Sequence, residues 1–271
     1  MGTLAAAVLL GVVQGLTEFL PVSSSAHLIL ARAFFGWDGE GAFGLPFDVA
    51  CHVGTLAAVL VYFRADLFAM ARAVPRAFSP GAGLDARRIR LIAIGTIPVI
   101  VVGVLWARVI EASMRTPLVA AITLALGAVV FLLSERVGHQ RKGDLQISSA
   151  DAFIIGVAQS AALVPGVSRS GATISTSLLL GISRPAAARF SFLLCIPAIL
   201  AAAGKEGLEL RHLAITANDA VLFVIGAVTS AVVGYVTITF FLRYLAHHRL
   251  DVFAWYRLAL AAVAFLWLAT R

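Results

Sequence analysis

Six long apolar stretches constrain what this chain can fold into. Each holds about 17–25 mostly aliphatic residues, the length that an α-helix needs to cross the hydrocarbon core of a bilayer. They lie near residues 47–64, 89–110, 117–135, 186–204, 219–242 and 252–270. The polar connections are short, and the longest, 65–88, has room for a surface helix. The sequence therefore predicts an all-α polytopic membrane protein with six transmembrane helices in a single domain over 1–271.

The composition excludes several other classes of protein. Hydrophobic residues make up 61% of the 271 residues and charged residues 13%, against about 25% charged in soluble domains. The net charge of +7 comes from basic residues beside apolar stretches, a pattern typical of membrane topology and not of nucleic-acid binding. The first 31 residues contain no Lys or Arg, so we expect no cleaved signal peptide. Cys51 and Cys195 are interpreted as packing residues without a disulfide.

Two further apolar stretches, 3–35 and 150–181, are interrupted in the middle. In each, a proline and a serine cluster separate two halves of roughly 12–17 residues, which are too short to span a bilayer comfortably. A break in the backbone at membrane depth is tolerated only where it is buried in protein or lines a wet cavity. We interpret both stretches as re-entrant helical hairpins whose tips meet inside the membrane.

The two interrupted stretches also resemble each other. Residues 11–14 match 156–159 and residues 22–25 match 167–170, both at an offset of 145. A second echo pairs Gly95 with Gly226 at an offset of 131. We therefore predict two repeats, about 1–136 and 150–271, each a hairpin followed by three spans. Because three is odd, the second repeat enters the membrane upside down, which gives an inverted-topology repeat.

The distribution of basic residues predicts the orientation. One group of connections is 64–90, 136–151 and 243–251, and the other is 31–46, 108–116 and 205–219. The first group carries 11 Lys and Arg residues and the second carries 5. We expect the first group of connections to lie in the cytoplasm and both termini to lie outside. The first hairpin would then enter from outside, where Asp38 and Glu40 mark its mouth.

Glu18 is the strongest candidate functional residue, because it is the only carboxylate in the first 37 residues and lies at the break of the first hairpin. Ionisable groups at membrane depth are expensive and usually functional, although Glu18 could instead snorkel or cap at an interface. Gln14 lies one helical turn earlier on the same face. Ser23, Ser24 and Ser25 open the second half-helix, where hydroxyls and free N–H groups can cradle an anion or form an ordinary N-cap.

His27 and Arg169 extend this candidate site. His27 stands three residues after Ser24 and would complete a nucleophile–base–carboxylate set; the alternative is a packing residue. Arg169, in the second tip, suits phosphate oxygens and can otherwise form a structural ion pair with Glu18. Further hydroxyls come from Ser168, Ser170 and Thr173, the last of which could equally bond to its own helix. Asp48 and His52 form an i, i+4 pair that is either close to the site or merely interfacial.

Both tips together resemble the bacterial undecaprenyl-diphosphate phosphatase family, also called the bacitracin-resistance family. The family's first motif reads QGLTEFLPVSSSAH at 14–27, and the second reads PGVSRSGAT at 165–173. The resemblance runs essentially end to end. In the family's E/Q-x-x-x-E pattern the first position is Gln14 here, which argues against a base or a charged metal ligand at this position. Ala26 stands where we expect Gly, a change that should be nearly neutral.

The resemblance implies hydrolysis of a C55 polyprenyl diphosphate to the monophosphate and inorganic phosphate. This reaction recycles the carrier lipid for cell-wall synthesis and lowers sensitivity to bacitracin. The resemblance also implies a divalent cation, Mg²⁺ or Ca²⁺, a location in the bacterial cell membrane and a site that opens to the extracytoplasmic side. A homodimer is compatible with it, and no nucleic-acid partner is expected.

We assign roles on this basis. Ser24 is the nucleophile or a phosphate-positioning hydroxyl, and His27 is the general base or acid. Glu18 binds the metal or orients His27, and Arg169 neutralises the transferred phosphoryl group. The predicted substrate-binding residues are Gln14, Ser23, Ser25, Ser168, Ser170 and Thr173. A transporter or flippase of polyprenyl phosphate lipids is the alternative, because inverted repeats with broken helices also build transporters.

Overall fold

The computed structural model describes residues 3–37, 43–79, 81, 83–210 and 215–270, and within these ranges the secondary structure is helical. The helices are α1 (Thr3–Thr17), α2 (Ser24–Phe35), α3 (Leu45–Tyr62), α4 (Arg64–Ala73), α5 (Leu84–Met114), α6 (Pro117–Val137), α7 (Ser149–Ser160), α8 (Arg169–Leu179), α9 (Arg184–Leu210), α10 (Ala217–Leu245) and α11 (Asp251–Ala269). Short 3₁₀ turns cover Val74–Arg76, Asp144–Gln146 and Ala161–Leu163. The all-α prediction is confirmed.

Five of the described helices are long and apolar enough to cross a membrane. Their qualifying segments are Leu84–Ile110, Pro117–Val137, Arg184–Lys205, Ala217–Leu245 and Asp251–Ala269. The sixth predicted span, 47–64, corresponds to α3, which bends by 75° into α4 and qualifies only together with it. Large apolar side chains stay exposed along these helices, as Val104 does at 80%. The protein is therefore a multi-pass membrane protein, and α4 is the short helix expected within 65–88.

Local sequence explains where several of these helices begin. The Thr116 side chain accepts a hydrogen bond from the Val119 N–H at the start of α6. Capping boxes begin α7, with Ser148 and Asp151, and α10. These side chains satisfy N–H groups that have no partner within the helix. Cys51, like Cys195, is free and buried, as predicted.

The two predicted hairpins are helix pairs that return to the side where they start. In the second pair, Lys142 Nζ lies 3.3 Å from the carboxylate of Asp151 in the first turn of α7, and the Lys142 N–H donates to Gly181 O, just after α8. In the first pair, Ala7 of α1 lies in one cluster with Ala31 of α2. This geometry suits a re-entrant hairpin, and the re-entry into a bilayer stays a prediction.

Each hairpin packs against a span of the other predicted repeat. A Cβ added to Gly11 of α1 would lie 2.9 Å from the Gly226 carbonyl oxygen of α10. A Cβ added to Gly156 of α7 would lie 2.1 Å from the Gly95 carbonyl oxygen of α5. These four glycines are the ones that the offsets of 145 and 131 relate, so the two contacts are equivalent. This equivalent packing of each hairpin against the other repeat supports two related halves. The inverted orientation of the halves stays a prediction.

Ion pairs form within each of the two groups of connections. In the more basic group, Arg88 pairs with Asp144 at 2.5 Å. In the less basic group, Asp48 at the start of α3 pairs with both Arg32 and Arg115. The side of the membrane on which each group lies stays a prediction. Residues 38–42, with the predicted acidic mouth at Asp38 and Glu40, lie outside the described residues.

Candidate active site

The breaks of the two hairpins contact each other. Ser25 Oγ, at the start of α2, accepts a hydrogen bond from the Gly166 N–H at 3.2 Å. Ser170 Oγ, at the start of α8, donates to the Leu20 carbonyl oxygen at 3.1 Å. Because Ser25 and Ser170 occupy equivalent positions in the two motifs, the bonds are reciprocal. The tips of two segments far apart in the chain thus form one unit.

Two other serines of the predicted substrate-binding set cap the helices that leave the tips. Ser23, in a left-handed conformation with φ 73°, accepts a hydrogen bond from the Ala26 N–H at 3.4 Å. Ser168 accepts one from the Gly171 N–H at 3.0 Å. Ser23, Ser25, Ser168 and Ser170 therefore cap or join the tips. Between them, Ser24 and Arg169 occupy the matching central positions and point to a different cluster.

Glu18 is the centre of that cluster. Its Oε2 accepts hydrogen bonds from Ser24 Oγ at 2.6 Å and from Gln14 Nε2 at 3.0 Å. His52 Nε2 lies 3.7 Å from the same oxygen, and Arg169 Nη1 lies 3.6 Å from Oε1. The Glu18 side chain is 6% exposed. The structure thus brings together three of the four predicted catalytic residues, with the predicted Gln14 beside them.

Two buried polar atoms in this cluster lack a hydrogen-bond partner among the described residues. Arg169 Nη1 and Gln14 Oε1 are buried without a hydrogen bond to any described residue. The Arg169 side chain as a whole keeps 25% exposure, so a ligand can reach it. Buried polar groups are nearly always satisfied, and an unsatisfied one is costly. The pair therefore offers a cationic donor and an oxygen acceptor that a ligand can complete.

The predicted contact between Ser24 and His27 is wrong. His27 Nδ1 lies 2.6 Å from Ser23 O, and because a carbonyl only accepts, this nitrogen carries the proton. His27 Nε2 lies 2.7 Å from Tyr256 Oη, and the two rings stack. The spacing of three residues places His27 near the helix face of Ser24. The imidazole, however, points towards the Ser23 carbonyl of its own turn and towards Tyr256 of α11. Both ring nitrogens are thus occupied.

His52 takes the place beside Glu18 that the sequence assigned to His27. Its Nδ1 donates to Asp48 O at 2.8 Å, so the i, i+4 spacing fixes the ring with Nε2 towards Glu18. The Asp48 carboxylate itself faces away from the site, to Arg32 and Arg115. From the sequence, His52 could lie either close to the site or at an interface, because no local pattern shows that α3 faces the first break.

Thr173, the last of the predicted substrate-binding residues, lies one turn into α8. Its Oγ1 donates to the Arg169 carbonyl oxygen at 2.8 Å, and the residue is 1% exposed. The hydroxyl is therefore used within its own helix, as the alternative in the sequence analysis had it.

Oxygen donors for a cation are few. Among the described residues, no group of three or more His, Cys, Asp or Glu side chains is arranged so that it could hold a metal ion. Mg²⁺, however, is commonly held by one or two carboxylates together with substrate phosphates. The Glu18 carboxylate and the unpartnered Gln14 Oε1 fit that requirement, since a neutral amide oxygen is also a ligand for hard cations.

The fold and the site define a class: a helical integral membrane protein with a carboxylate–hydroxyl–guanidinium cluster at the tips of two broken helices. The chain belongs to the family described as bacitracin resistance protein BacA, whose family model matches residues 7–263. The resemblance drawn from the two motifs is thereby confirmed.

Curated relatives match along nearly the whole chain. The chain is 48% identical over 260 residues to a protein named undecaprenyl-diphosphatase from Rubrobacter xylanophilus, which covers 95% of each chain. It is 45% identical over 264 residues to the protein of the same name from Hahella chejuensis, covering 96% of this chain and 97% of the other. The undecaprenyl-diphosphatase of Desulforudis audaxviator is 43% identical, with 93% of each chain covered.

Proposed function

We propose that this protein hydrolyses undecaprenyl diphosphate to undecaprenyl phosphate and inorganic phosphate. The observation that carries the proposal is the Glu18–Ser24–Arg169 cluster, assembled from both hairpin tips inside an apolar helical bundle. The printed name of the curated relatives supports it. By this reaction the protein recycles the carrier lipid for cell-wall synthesis and lowers sensitivity to bacitracin.

The first step uses the hydrogen bond between Ser24 and Glu18. Ser24 Oγ attacks the terminal phosphorus, and its proton passes to Glu18 Oε2, which it already contacts at 2.6 Å. The bond from that phosphorus to the bridging oxygen breaks, and the lipid monophosphate leaves. Water then attacks the phosphoserine, the proton on Glu18 returns to Ser24 Oγ, and the inorganic phosphate leaves with both protons of the water, as dihydrogen phosphate.

Arg169 lowers the barrier by neutralising the phosphoryl oxygens. Its Nη1 has no hydrogen-bond partner among the described residues, so it is available to a phosphate oxygen. A pre-oriented guanidinium costs little reorganisation at the moment of reaction. His52, which faces Glu18 at 3.7 Å, holds the carboxylate in place. His27 contributes by fixing α2 against α11 through Tyr256.

A divalent cation, Mg²⁺ or Ca²⁺, would be held by Glu18 and the amide oxygen of Gln14 together with the diphosphate. Such a cation polarises phosphoryl oxygens and offsets their charge. Attack by an activated water, with Ser24 only positioning the phosphate, is the alternative to the serine nucleophile. Recovery of a labelled phosphoserine from quenched turnover would support the serine route, and its absence the water route.

In this proposal the protein lies in the bacterial cell membrane, and its site opens to the extracytoplasmic side. The first hairpin contributes Glu18 and Ser24, and its helix α2 ends beside the less basic connections, where Arg32 pairs with Asp48. The positive-inside rule places those connections outside. Exposed apolar side chains on the spans provide a surface to which a polyprenyl tail can bind. A homodimer, with a second copy of the chain as partner, stays a prediction.

Phosphate release by the purified protein tests the proposal. We expect Glu18→Ala and Arg169→Ala to lose most turnover, since removing a transition-state arginine costs on the order of 10³-fold or more in related chemistry. Arg136→Ala, at an exposed position, is the control and should keep it. Near wild-type turnover in both site variants would overturn the assignment. Transport of lipid phosphate across vesicles by a Ser24→Ala, His27→Ala double variant would favour the transporter alternative.

A further inference from the structure

Arg257 of α11 is the largest fully buried side chain among the described residues, at 1% exposure. Its guanidinium donates to four backbone carbonyl oxygens. Two belong to α6, Thr123 O at 3.1 Å and Leu124 O at 3.2 Å. The other two belong to the hairpin tips, Pro21 O at 3.2 Å and Gly166 O at 3.4 Å. One side chain thus bridges both breaks and ties them to a transmembrane helix.

This guanidinium has no acidic partner among the described residues. A buried charge at membrane depth is expensive, and carbonyl dipoles satisfy its donors without cancelling its charge. A residue that only filled space at this position would be apolar. The planar fork of five N–H donors is what a bridge between two tips and a helix requires, because it bonds in several directions at once.

Two glycines leave the space in which the guanidinium lies. A Cβ added to Gly127 of α6 would lie 2.0 Å from Arg257 Nη2. A Cβ added to Gly171 of α8 would lie 3.0 Å from Arg257 Nη1. Any side chain at Gly127 must therefore displace the guanidinium from the carbonyl oxygens that it bonds.

We propose that Arg257 is a positioning residue that sets the register of the two hairpin tips. Pro21 lies midway between Glu18 and Ser24 in the chain, and Gly166 lies three residues before Arg169. By holding Pro21 O and Gly166 O on one rigid plane, Arg257 fixes the Glu18–Ser24 pair of the first hairpin opposite Arg169 of the second. The proposal rests on the function proposed above and adds a residue that touches neither substrate nor reacting atoms.

Three full-length variants test this role. Arg257→Lys keeps the charge but replaces the fork with one nitrogen. Gly127→Ala keeps Arg257 and displaces its guanidinium, while it improves the helix propensity of α6. Gly103→Ala is the matched control, because a Cβ at this glycine of α5 meets no atom within 4 Å. Each variant is compared by kcat and KM for phosphate release, by thermal unfolding, and by hydrogen exchange of peptides over 18–27 and 164–172.

We expect Arg257→Lys and Gly127→Ala to lower kcat by about 100-fold, the cost of a displacement of about 1 Å in a catalytic group. KM should change little, because both variants leave the exposed apolar surface of the spans unchanged. Amide exchange at the tips should rise, since Arg257 no longer holds the Gly166 carbonyl oxygen and the bond from the Gly166 N–H to Ser25 Oγ opens more often. Gly103→Ala should match the wild type. If both variants fold and keep wild-type kcat and tip protection, or lose only thermal stability, the proposal is overturned. If the wild type releases no phosphate, the proposed function fails, and the exchange measurement still decides the role of Arg257.

Discussion

Ser24 Oγ and Glu18 Oε2 lie 2.6 Å apart, although the break between two helices separates the two residues in the chain. The break between α1 and α2 makes this contact, because it turns the chain back while Pro21 and the Ser23 cap fix the new helix. A continuous helix would leave residues six apart on different faces. The interruption of this apolar segment is thus what assembles the candidate site.

Replacing Arg169 with lysine should not preserve activity. Lysine keeps the positive charge but presents a single hydrated nitrogen instead of a planar fork, and its shorter reach leaves the phosphoryl oxygens without a fixed donor. We expect Arg169→Lys to lower kcat by at least about 100-fold, measured by phosphate release. Arg136→Lys, on the exposed end of α6, should behave as the wild type. Full activity in Arg169→Lys would show that charge alone is sufficient.

His27 and Tyr256 should act as one unit. Their hydrogen bond at 2.7 Å predicts that His27→Leu, Tyr256→Phe and the double variant lower activity to a similar extent, because residues in direct contact are not additive. Steady-state kinetics of the four proteins measures this coupling. If His27 were instead a general base, the loss of activity in His27→Leu would be about 100-fold or more greater than the loss in Tyr256→Phe.

The tip of the second hairpin should be intolerant of a side chain at Gly166. This residue has φ +89°, and an added Cβ would lie 1.9 Å from Thr123 Oγ1, which bonds the Pro165 carbonyl. Gly36 has φ +66° with nothing within 4 Å, so Gly36→Ala carries the left-handed strain alone, about 1–2 kcal/mol. We expect Gly166→Ala to lower the thermal unfolding midpoint well beyond Gly36→Ala. Equal decreases in the unfolding midpoint of the two variants would show that the tip accommodates a side chain at Gly166 and would contradict this prediction.

Cysteine labelling should distinguish the two sides of the membrane. Ser113, in the last turn of α5 and in the less basic connections, and Arg141, in the more basic connections, are both exposed. The native cysteines are buried. We expect Ser113→Cys to react with a membrane-impermeant thiol reagent in intact cells, and Arg141→Cys to react only after permeabilisation. The reverse pattern would contradict both the orientation and the extracytoplasmic opening.

Much of the site could be predicted because its chemistry is local in sequence. Glu18 stands out as a carboxylate in an apolar segment, Gln14 follows from helical spacing, and Arg169 from its place in the second tip. The predicted spans also correspond to helices, with the exception that α3 bends into α4 after 18 residues. These features can be predicted from the lengths of the apolar segments and from the positions of the Pro and Gly breaks, because they do not depend on which helices pack together.

The rest of the site depends on which helices pack together. His52, Tyr256 and Arg257 come from α3 and α11, and no local pattern places those helices at the tips. The three consecutive serines show the same limit at short range. Ser23 caps α2, Ser25 joins the tips and only Ser24 reaches Glu18, a division that follows from the backbone turn at Ser23 and from the opposing hairpin.

Turnover of undecaprenyl diphosphate labelled in its terminal phosphate tests whether Ser24 at the paired tips carries the reaction. We expect the purified wild type to release labelled phosphate and rapid quenching to trap label on Ser24. Ser24→Ala should lose both signals, whereas Ser177→Ala, which removes a buried hydroxyl bonded only within α8, should keep both. No release by the wild type, or equal release by Ser24→Ala and Ser177→Ala, would show that this assignment is wrong.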